Sequence, residues 1–241
     1  MIVILSDFGN SEYVGVMKGV IKSIAKNTEI IDLYHDIQPQ QIRQGAWILL
    51  KNYFYFPKKT IFLCVVDPGV GSGRPCVAIQ TKNYFFVGPD NGLVYPPAQD
   101  DGIISVVSLS TSDASKTFHG RDIFAKAAAH LERGDSIKKL GKTMKIKNQL
   151  SFHLNGREGE IVHIDHFGNI ITNIPSLGRK KYSIKTKKLS TTLPFFSTYD
   201  EAPSERLFFI EGSSHTLEIS IKSGKASEKI KLSIGEKIVI Q

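Results

Sequence analysis

Polar side chains suited to binding a sugar or to acid–base chemistry lie in three loops that adjoin predicted strands or helices. Asp7 comes directly after the apolar run 2–5, and Asp67 follows the continuously apolar run 60–66. His119 lies in the segment 117–122, directly before an alanine-rich helical pattern. Because ligands of open α/β sheets bind beyond the carboxyl ends of the strands, we expect these loops to lie at one edge of a sheet.

Each of the three positions has a functional and a structural interpretation. The two oxygens of Asp7, beside Gly9, suit the vicinal hydroxyls of a ribose, or Asp7 caps the helix that follows. His119 is either an acid–base group or an ordinary buried histidine. Asp67 and Arg74 stand at the two ends of a glycine-rich loop, as partners in a site or as a surface ion pair.

The glycine-rich loop 67–74, DPGVGSGR, does not match the common phosphate-binding motifs. It lacks the Gly-Lys-Ser/Thr ending of a P-loop and the third glycine of a dinucleotide fingerprint. Both motifs require a helix next, whereas CVAIQTKNYFFV is typical of strands. The loop therefore favours close approach of a ligand to the backbone.

The segment HIDHFGN raises the question of a metal site. His163 and Asp165 would share one face of a strand while His166 points to the other. No third ligand is evident on that face, so we expect no metal. The sequence also contains neither Gly-x-Ser-x-Gly nor His-Glu-x-x-His, which argues against a classical hydrolase triad and a zinc protease.

The first half of the chain alternates strand and helix patterns. Strands are predicted at 2–5, 29–33, 60–66, 77–80, 84–87 and 103–107, and helices at 14–24, 42–53 and 121–131. This alternation predicts an α/β domain, residues 1–150, with a mainly parallel sheet and helices on both faces.

The second half of the chain contains only strand patterns. They cover 161–164, 170–174, 182–188, 207–210, 217–221 and 238–240, separated by Gly, Pro and Ser. We predict a smaller all-β domain, residues 151–241, folded as a small barrel or a sandwich. The lysine-rich segment 138–150 is the predicted linker.

Composition and charge restrict the partners. The net charge is +8, and much of the excess lies in two stretches without acids, 138–147 and 179–188. They are mostly lysine with only Tyr182 interleaved, which argues against nucleic acid as a partner and favours solvated surfaces. No apolar run approaches the roughly 20 residues of a membrane span, and no basic segment precedes the first apolar run, so we expect neither a span nor a signal peptide. Cys64 and Cys76 form no Cys-x-x-Cys motif, and we expect a cytoplasmic protein.

Taken together, these segments resemble a known family. The motifs occur in order across nearly the whole chain: SDFGNSEYVGVMKGVI, VVDPGVGSGR, FVGPDNG, TFHGRDIFA, HIDHFGNIITN and GSSHTLEISI. The chain resembles the S-adenosyl-L-methionine hydrolases, or hydroxide adenosyltransferases, which are related to fluorinases and chlorinases. The resemblance implies an N-terminal α/β domain joined to a C-terminal β-barrel, in a homotrimer with active sites between subunits. It also implies a reaction that converts S-adenosylmethionine and water to adenosine and L-methionine without metal or cofactor.

The resemblance also implies roles for individual residues. Asp67, Arg74 and His119 would form a water-activating triad, in which Arg74 and His119 hold the water and Asp67 orients Arg74 or takes up the proton. The implied substrate contacts are Asp7 to the ribose hydroxyls, Asp165 to the methionine ammonium, Asn169 by hydrogen bonding, Ser213 and Ser214 near the methionine carboxylate, and the backbone at Ala226 near adenine. Phe195 or Phe196 is a further candidate for stacking on the purine.

The sequence departs from the family pattern at four places, and two other functions are alternatives to the hydrolase. Glu12 replaces the usual aspartate, Pro75 a second arginine and His215 a glycine, and the stretch 222–225 lacks the usual asparagine. A halogenase would lack the acid at Asp67, and fluorinases carry an insertion in the first domain that this chain does not show. A nucleoside-binding module without turnover would not need the triad.

Overall fold

The computed structural model describes residues 1–187 and 189–241, which divide into two units, Met1–Leu150 and Ser151–Gln241. The strands of the first unit are β1 (Ile2–Ser6), β2 (Ile30–Tyr34), β3 (Ile61–Val65), β4 (Cys76–Thr81), β5 (Phe85–Pro89), β6 (Ile103–Leu109) and β7 (Gly141–Thr143). Its helices are α1 (Glu12–Ile24), α2 (Ile42–Asn52), α3 (Tyr95–Asp101), α4 (Ala125–Glu132) and α5 (Ile137–Leu140).

The seven strands of the first unit form one sheet in the order β2-β1-β3-β5-β4-β6-β7. The strands β2, β1, β3 and β5 pair in parallel. β4 is antiparallel to both β5 and β6, so β6 runs in the direction of the parallel strands. Five of the seven strands therefore point the same way, and the predicted α/β class with a mainly parallel sheet and helices is confirmed.

The core of the first unit follows the apolar spacing of the sequence. α1 buries Val14, Met17 and Ile21, which recur at helical spacing. β1 and β3 are buried at every position, as expected for strands covered on both faces. The carboxyl ends of these two central strands therefore carry Asp7 and Asp67 to the same edge of the sheet.

Two parts of the first unit differ from the sequence prediction. α3 was not predicted; it has proline at its first turn, where the missing N–H costs no hydrogen bond. The predicted linker 138–150 is partly structured, because it contains the end of α5 and all of β7. The Asp90 carboxylate also accepts the backbone N–H groups of Lys147 (2.9 Å) and Asn148 (3.0 Å), which fixes this segment to the first unit.

The second unit contains a seven-stranded antiparallel sheet and one short helix. Its strands are β8 (Glu158–Ile164), β9 (Ile170–Pro175), β10 (Lys181–Lys185), β11 (Ser190–Pro194), β12 (Leu207–Glu211), β13 (Thr216–Ile221) and β14 (Lys237–Ile240), and its helix is α6 (Ala226–Lys229). The order is β11-β10-β14-β8-β9-β13-β12. A bridge between Phe195 and Phe209 brings the two ends of the sheet together, so the sheet is nearly a barrel, as predicted.

The strand predicted at 182–188 ends earlier than expected. β10 ends at Lys185, and Lys188 lies outside the described residues. β11 was not predicted, because its Ser-Thr-Thr sequence lacks an apolar alternation and four of its five residues are exposed at the edge of the sheet. Among the described residues, no helix is long and apolar enough to cross a membrane.

Candidate active site

The loop between β3 and β4 carries Asp67 and Arg74 and is held by its own turns. The Val70 N–H donates to the Asp67 carbonyl (3.2 Å) and the Ser72 N–H to the Gly69 carbonyl (3.1 Å). Gly71 has a φ of +76°, and a Cβ there would lie 2.2 Å from the Lys116 carbonyl oxygen. Only glycine allows this contact, which brings the loop against the segment that leads to His119.

The Arg74 guanidinium directs all five of its N–H groups at protein atoms. Nε donates to Asp67 Oδ1 (2.6 Å), and Nη2 donates to Asp67 Oδ2 and to His119 Nδ1 (3.0 Å). Nη1 donates to the Pro75 carbonyl (3.2 Å) and to Cys76 Sγ (3.0 Å). Each of its donors thus already has a protein acceptor in this structure.

The ion pair between Asp67 and Arg74 is buried and not on the surface. Their side chains are 5% and 10% exposed, respectively. Burial lowers the pKa of Arg74, but the hydrogen bonds and charge of Asp67, assisted by Cys76, outweigh it and leave the pKa above its ordinary value. The Arg74 guanidinium also lies 5.5 Å from the centre of the Phe124 ring. Its orientation is therefore fixed by a carboxylate on one side and an aromatic ring on another.

His119 stands directly before a π-helical turn, Gly120–Phe124, that continues into α4. An arginine only donates hydrogen bonds, so Nδ1 of His119 accepts and the ring proton lies on Nε2. Burial and the charge of Arg74 lower the pKa of His119, while Asp67 and Asp122 oppose this shift. His119 is therefore a neutral imidazole with Nε2 as the nitrogen left for a ligand.

A cavity of about 360 Å³ in the first unit is lined by Asp67, His119 and Asp7. Asp7 Oδ2 accepts the backbone N–H of Gln40 (2.8 Å), which orients its carboxylate. Arg74 is not among the described residues that line this cavity. The structure therefore brings together three of the four polar residues predicted for the first unit, and it places Arg74 behind two of them.

In the second unit, Asp165 and Asn169 form the two ends of one tight turn. Asp165 Oδ1 accepts the Asn169 N–H and Oδ2 accepts the Asn169 side-chain amide, both at 2.8 Å. Gly168 has a φ of +81°, and a Cβ there would meet Lys225 at 2.5 Å. Asp165, Asn169 and Lys225 line a cavity of about 740 Å³. Because each carboxylate oxygen keeps a further lone pair, Asp165 is able to accept from a cationic ligand as well.

The aromatic residues at this second cavity differ from those predicted. Phe167, which is 71% exposed, and Tyr199 line it. Phe195 packs on Tyr182 at 5.9 Å and Phe196 on Phe208 at 5.7 Å, so both are occupied by packing within the unit. The exposed aromatic residue of the HIDHFGN turn was the signal that sequence reasoning missed.

The other three predicted substrate contacts, Ser213, Ser214 and Ala226, do not line this cavity. Ser213 and Ser214 lie on the turn between β12 and β13, and Ala226, fully buried, begins α6 next to Lys225. None of the three is among the described residues that line the cavity.

Glu218 is a buried carboxyl that sequence reasoning also missed. It is 8% exposed, and its Oε1 lies where a Cβ on Gly212 would be, beside the turn of Ser213 and Ser214. Burial and the charge of Asp165 raise the pKa of Glu218 to about 7. A glutamate between two apolar residues, Leu217 and Ile219, was the available signal.

Neither histidine of the HIDHFGN segment takes part in a candidate metal site. Among residues 1–187 and 189–241, no group of three or more His, Cys, Asp or Glu side chains is arranged to hold a metal ion. Burial lowers the pKa of His163, and Asp165 only partly offsets this.

The fold and the cavity define a two-domain protein with buried acid–base side chains at the strand ends of an α/β unit. The model of the SAM hydroxide adenosyltransferase N-terminal domain matches residues 2–141, and that of the C-terminal domain matches residues 159–239. The chain belongs to the SAM hydroxide adenosyltransferase family.

Individual relatives agree with this family. A protein of Thermus thermophilus named (R)-S-adenosyl-L-methionine hydrolase is 33% identical, over 96% of this chain and 95% of its own. One of the same name from Methanocaldococcus jannaschii is 39% identical over 72% of this chain, and the match spans 66% of that protein. A fluorinase of Actinopolyspora mzabensis is 25% identical over 72% of this chain and 71% of its own. The crystal structure of an uncharacterized conserved protein from Thermotoga maritima covers 100% of both chains with a TM-score of 0.91 and 32% identity.

Proposed function

We propose that this protein hydrolyses S-adenosyl-L-methionine to adenosine and L-methionine by attack of water at C5′, without a metal or cofactor. The observation that carries the proposal is the buried network of Asp67, Arg74 and His119 at a cavity that Asp7 also lines. The names of the relatives from Thermus thermophilus and Methanocaldococcus jannaschii support the same activity.

The chemistry requires little beyond a positioned nucleophile. The C5′ carbon is bonded to a positively charged sulfonium. The water oxygen forms a bond to C5′ while the C5′–S bond breaks. The electron pair of the C5′–S bond stays on sulfur, and the leaving group is a neutral thioether that needs no protonation by an acid. The attacking water must lose one proton. An acceptor held next to the water typically contributes about 10²–10⁴-fold.

The tautomer of His119 decides which residue is that acceptor. With its proton on Nε2, His119 donates a hydrogen bond to the water oxygen and orients it. Asp67 uses one lone pair of each oxygen for Arg74 and has others to accept the water proton. Arg74 fixes both groups without touching the water, so it is a positioning residue.

Substrate recognition is divided between the two units. Asp7, oriented by the Gln40 N–H, accepts the two ribose hydroxyls. Asp165 binds the methionine ammonium through a charge-assisted hydrogen bond, and Asn169 adds a further contact. Ser213 and Ser214 meet the methionine carboxylate, and the backbone at Ala226 meets adenine.

The aromatic contact to the purine is assigned by exposure. Phe167 and Tyr199 line the cavity of the second unit, whereas Phe195 and Phe196 are engaged in packing. Phe167 is the more exposed of the two cavity residues and is therefore the better stacking surface.

The proposed assembly is the one that the family resemblance implies. We propose a homotrimer in which the first unit of one subunit and the second unit of a neighbouring subunit complete each site. Both cysteines are buried free thiols, which fits the reducing cytoplasm as its location. The molar mass in solution, measured by light scattering, tests the trimer.

Product analysis in H₂¹⁸O tests the activity. S-adenosylmethionine is incubated with the protein, with and without chloride or fluoride, and the products are separated by chromatography. We expect adenosine and methionine in equal amounts in all cases, with ¹⁸O in the 5′-hydroxyl of adenosine. A halogenated nucleoside would instead indicate the halogenase, and tight nucleoside binding without any product would indicate a binding module.

Variants connect the activity to the site. Asp67→Ala and His119→Ala should each lower kcat by about 10²-fold or more. Asp113→Ala, which changes an exposed carboxylate of the same unit, should leave kcat unchanged. Unaltered turnover in both site variants would reject the assignment.

A further inference from the structure

Cys76 is a buried thiol inside the Asp67–Arg74–His119 network, and the proposed mechanism does not use it. It is the first residue of β4 and is 0% exposed. Its Sγ lies 3.0 Å from Arg74 Nη1 and 3.6 Å from His119 Nδ1. The sulfur thus contacts two of the three residues on which the proposed hydrolysis depends.

The Cys76 thiol is neutral and accepts a hydrogen bond from Arg74. Burial raises the pKa of Cys76, and the neighbouring Arg74 only partly opposes this. The thiol therefore stays protonated at neutral pH and is no nucleophile. A protonated sulfur still accepts an N–H through its lone pairs, which is the contact with Arg74 Nη1.

The rigid guanidinium of Arg74 links the Cys76 contact on Nη1 to the His119 contact on Nη2. The group is planar and rigid, so an acceptor on Nη1 also fixes the direction of the Nη2 N–H groups. One of those groups meets His119 Nδ1 at 3.0 Å and selects the tautomer that leaves the proton on Nε2. Without the sulfur, the Pro75 carbonyl at 3.2 Å would be the remaining acceptor of Nη1 among the described residues.

We propose that Cys76 is a positioning residue: its sulfur completes the acceptors of Arg74 and so holds His119 in the Nε2–H tautomer. The catalytic consequence rests on the proposed function, but the effect on His119 does not. Cys64 offers a matched control, because it is also 0% exposed, lies on β3 of the same sheet, and its thiol makes no polar contact among the described residues.

Three substitutions separate the sulfur's hydrogen bond from its volume. Cys76→Val fills the space without an acceptor, and Cys76→Ser restores an acceptor of smaller size. Cys64→Val imposes a similar change of core packing away from Arg74. Melting temperatures of all variants identify general loss of stability.

The first readout is the ¹⁵N NMR spectrum of histidine-labelled protein, with the His119 signals assigned by a His119→Gln variant. The charged groups that face His119 are Arg74, Asp67 and Asp122. In the wild type we expect an unprotonated Nδ1 and a protonated Nε2. In Cys76→Val the two tautomers should mix and the pKa of His119 should rise, because Arg74 is no longer held against it. Cys76→Ser and Cys64→Val should keep the wild-type spectrum.

The second readout is kinetic. Cys76→Val should lower kcat by about tenfold with KM within about twofold, and Cys76→Ser should recover most of the loss. An unchanged His119 spectrum in Cys76→Val, or equal effects of Cys64→Val, would overturn the proposal. If the spectrum changes as expected but the wild type forms no adenosine, the positioning role stands and the proposed hydrolysis fails.

Discussion

Replacement of Arg74 by lysine tests whether the guanidinium positions the site or binds the ligand. Arg74 satisfies five acceptor contacts through three nitrogens, whereas a lysine ammonium has three N–H groups on one nitrogen. The charge pair with Asp67 survives in Arg74→Lys, but at least two hydrogen bonds are lost. Because one ammonium nitrogen cannot serve Asp67 and His119 from opposite ends, we expect the bond to His119 Nδ1 to be among them.

The size of the effect follows from these bonds. Hydrogen bonds to charged groups contribute about 1.5–3 kcal/mol each, so the loss of two should lower the free energy of unfolding by about 3–6 kcal/mol. A kcat lower by about 10²-fold corresponds to about 2.7 kcal/mol of lost transition-state stabilisation. KM should stay within about threefold, because Arg74 does not line the cavity among the described residues.

The assay for Arg74→Lys is adenosine formation at several substrate concentrations, together with urea unfolding. Arg133→Lys, at an exposed position after α4, is the control for the change of side chain itself. A raised KM with wild-type kcat would show that the guanidinium contacts substrate. A kcat within about threefold of the wild type would refute the view that five fixed acceptors are needed.

Two further predictions concern a buried carboxyl and a close backbone contact. Because the pKa of Glu218 is raised to about 7, its stabilising effect is complete below the ordinary pKa and is lost as pH rises through 7, at a cost of about 3 kcal/mol. Urea unfolding at pH 5 and pH 8.5 measures the loss of unfolding free energy between the two pH values, and Glu218→Gln should remove the part due to Glu218. The same loss in the variant and in the wild type would contradict the idea. Gly71→Ala should destabilise by about 2 kcal/mol or more and lower kcat, because its Cβ would meet the Lys116 carbonyl at 2.2 Å. Gly73→Ala, with no atom within 4 Å of its Cβ, is the control, and equal melting temperatures of the two variants would count against the argument.

Elements with a regular apolar period could be predicted from the sequence. α1 follows from the spacing of Val14, Met17 and Ile21, and β3 follows from its unbroken apolar run. α3 could not be found in this way, because Tyr95–Asp101 has no apolar period and its prolines suggest a loop. β11 escaped for a related reason: an exposed edge strand has little apolar alternation to detect.

The site residues could be named from motifs, but their relations required coordinates. Phe195 and Phe167 are equally aromatic in sequence, and only burial shows that Phe195 packs on Tyr182 while Phe167 lines a cavity. Glu218 gained its raised pKa from burial and from Asp165, which lies 53 positions earlier in the chain. Contacts between distant segments of this kind leave no local pattern.

The division of roles in the triad shows most directly what the spacing of residues could not supply. The sequence analysis expected, from the family resemblance, that Arg74 and His119 both hold the water. In the structure, the N–H groups of Arg74 donate to protein acceptors, and His119 Nδ1 is one of these acceptors. A histidine held in this way is a poor proton acceptor, because accepting a proton on Nδ1 would place two donors against each other. Burial and the charge of Arg74 lower the pKa of His119. Because protonation of Nδ1 would also break its bond to Arg74, the proposed mechanism takes Asp67 as the base.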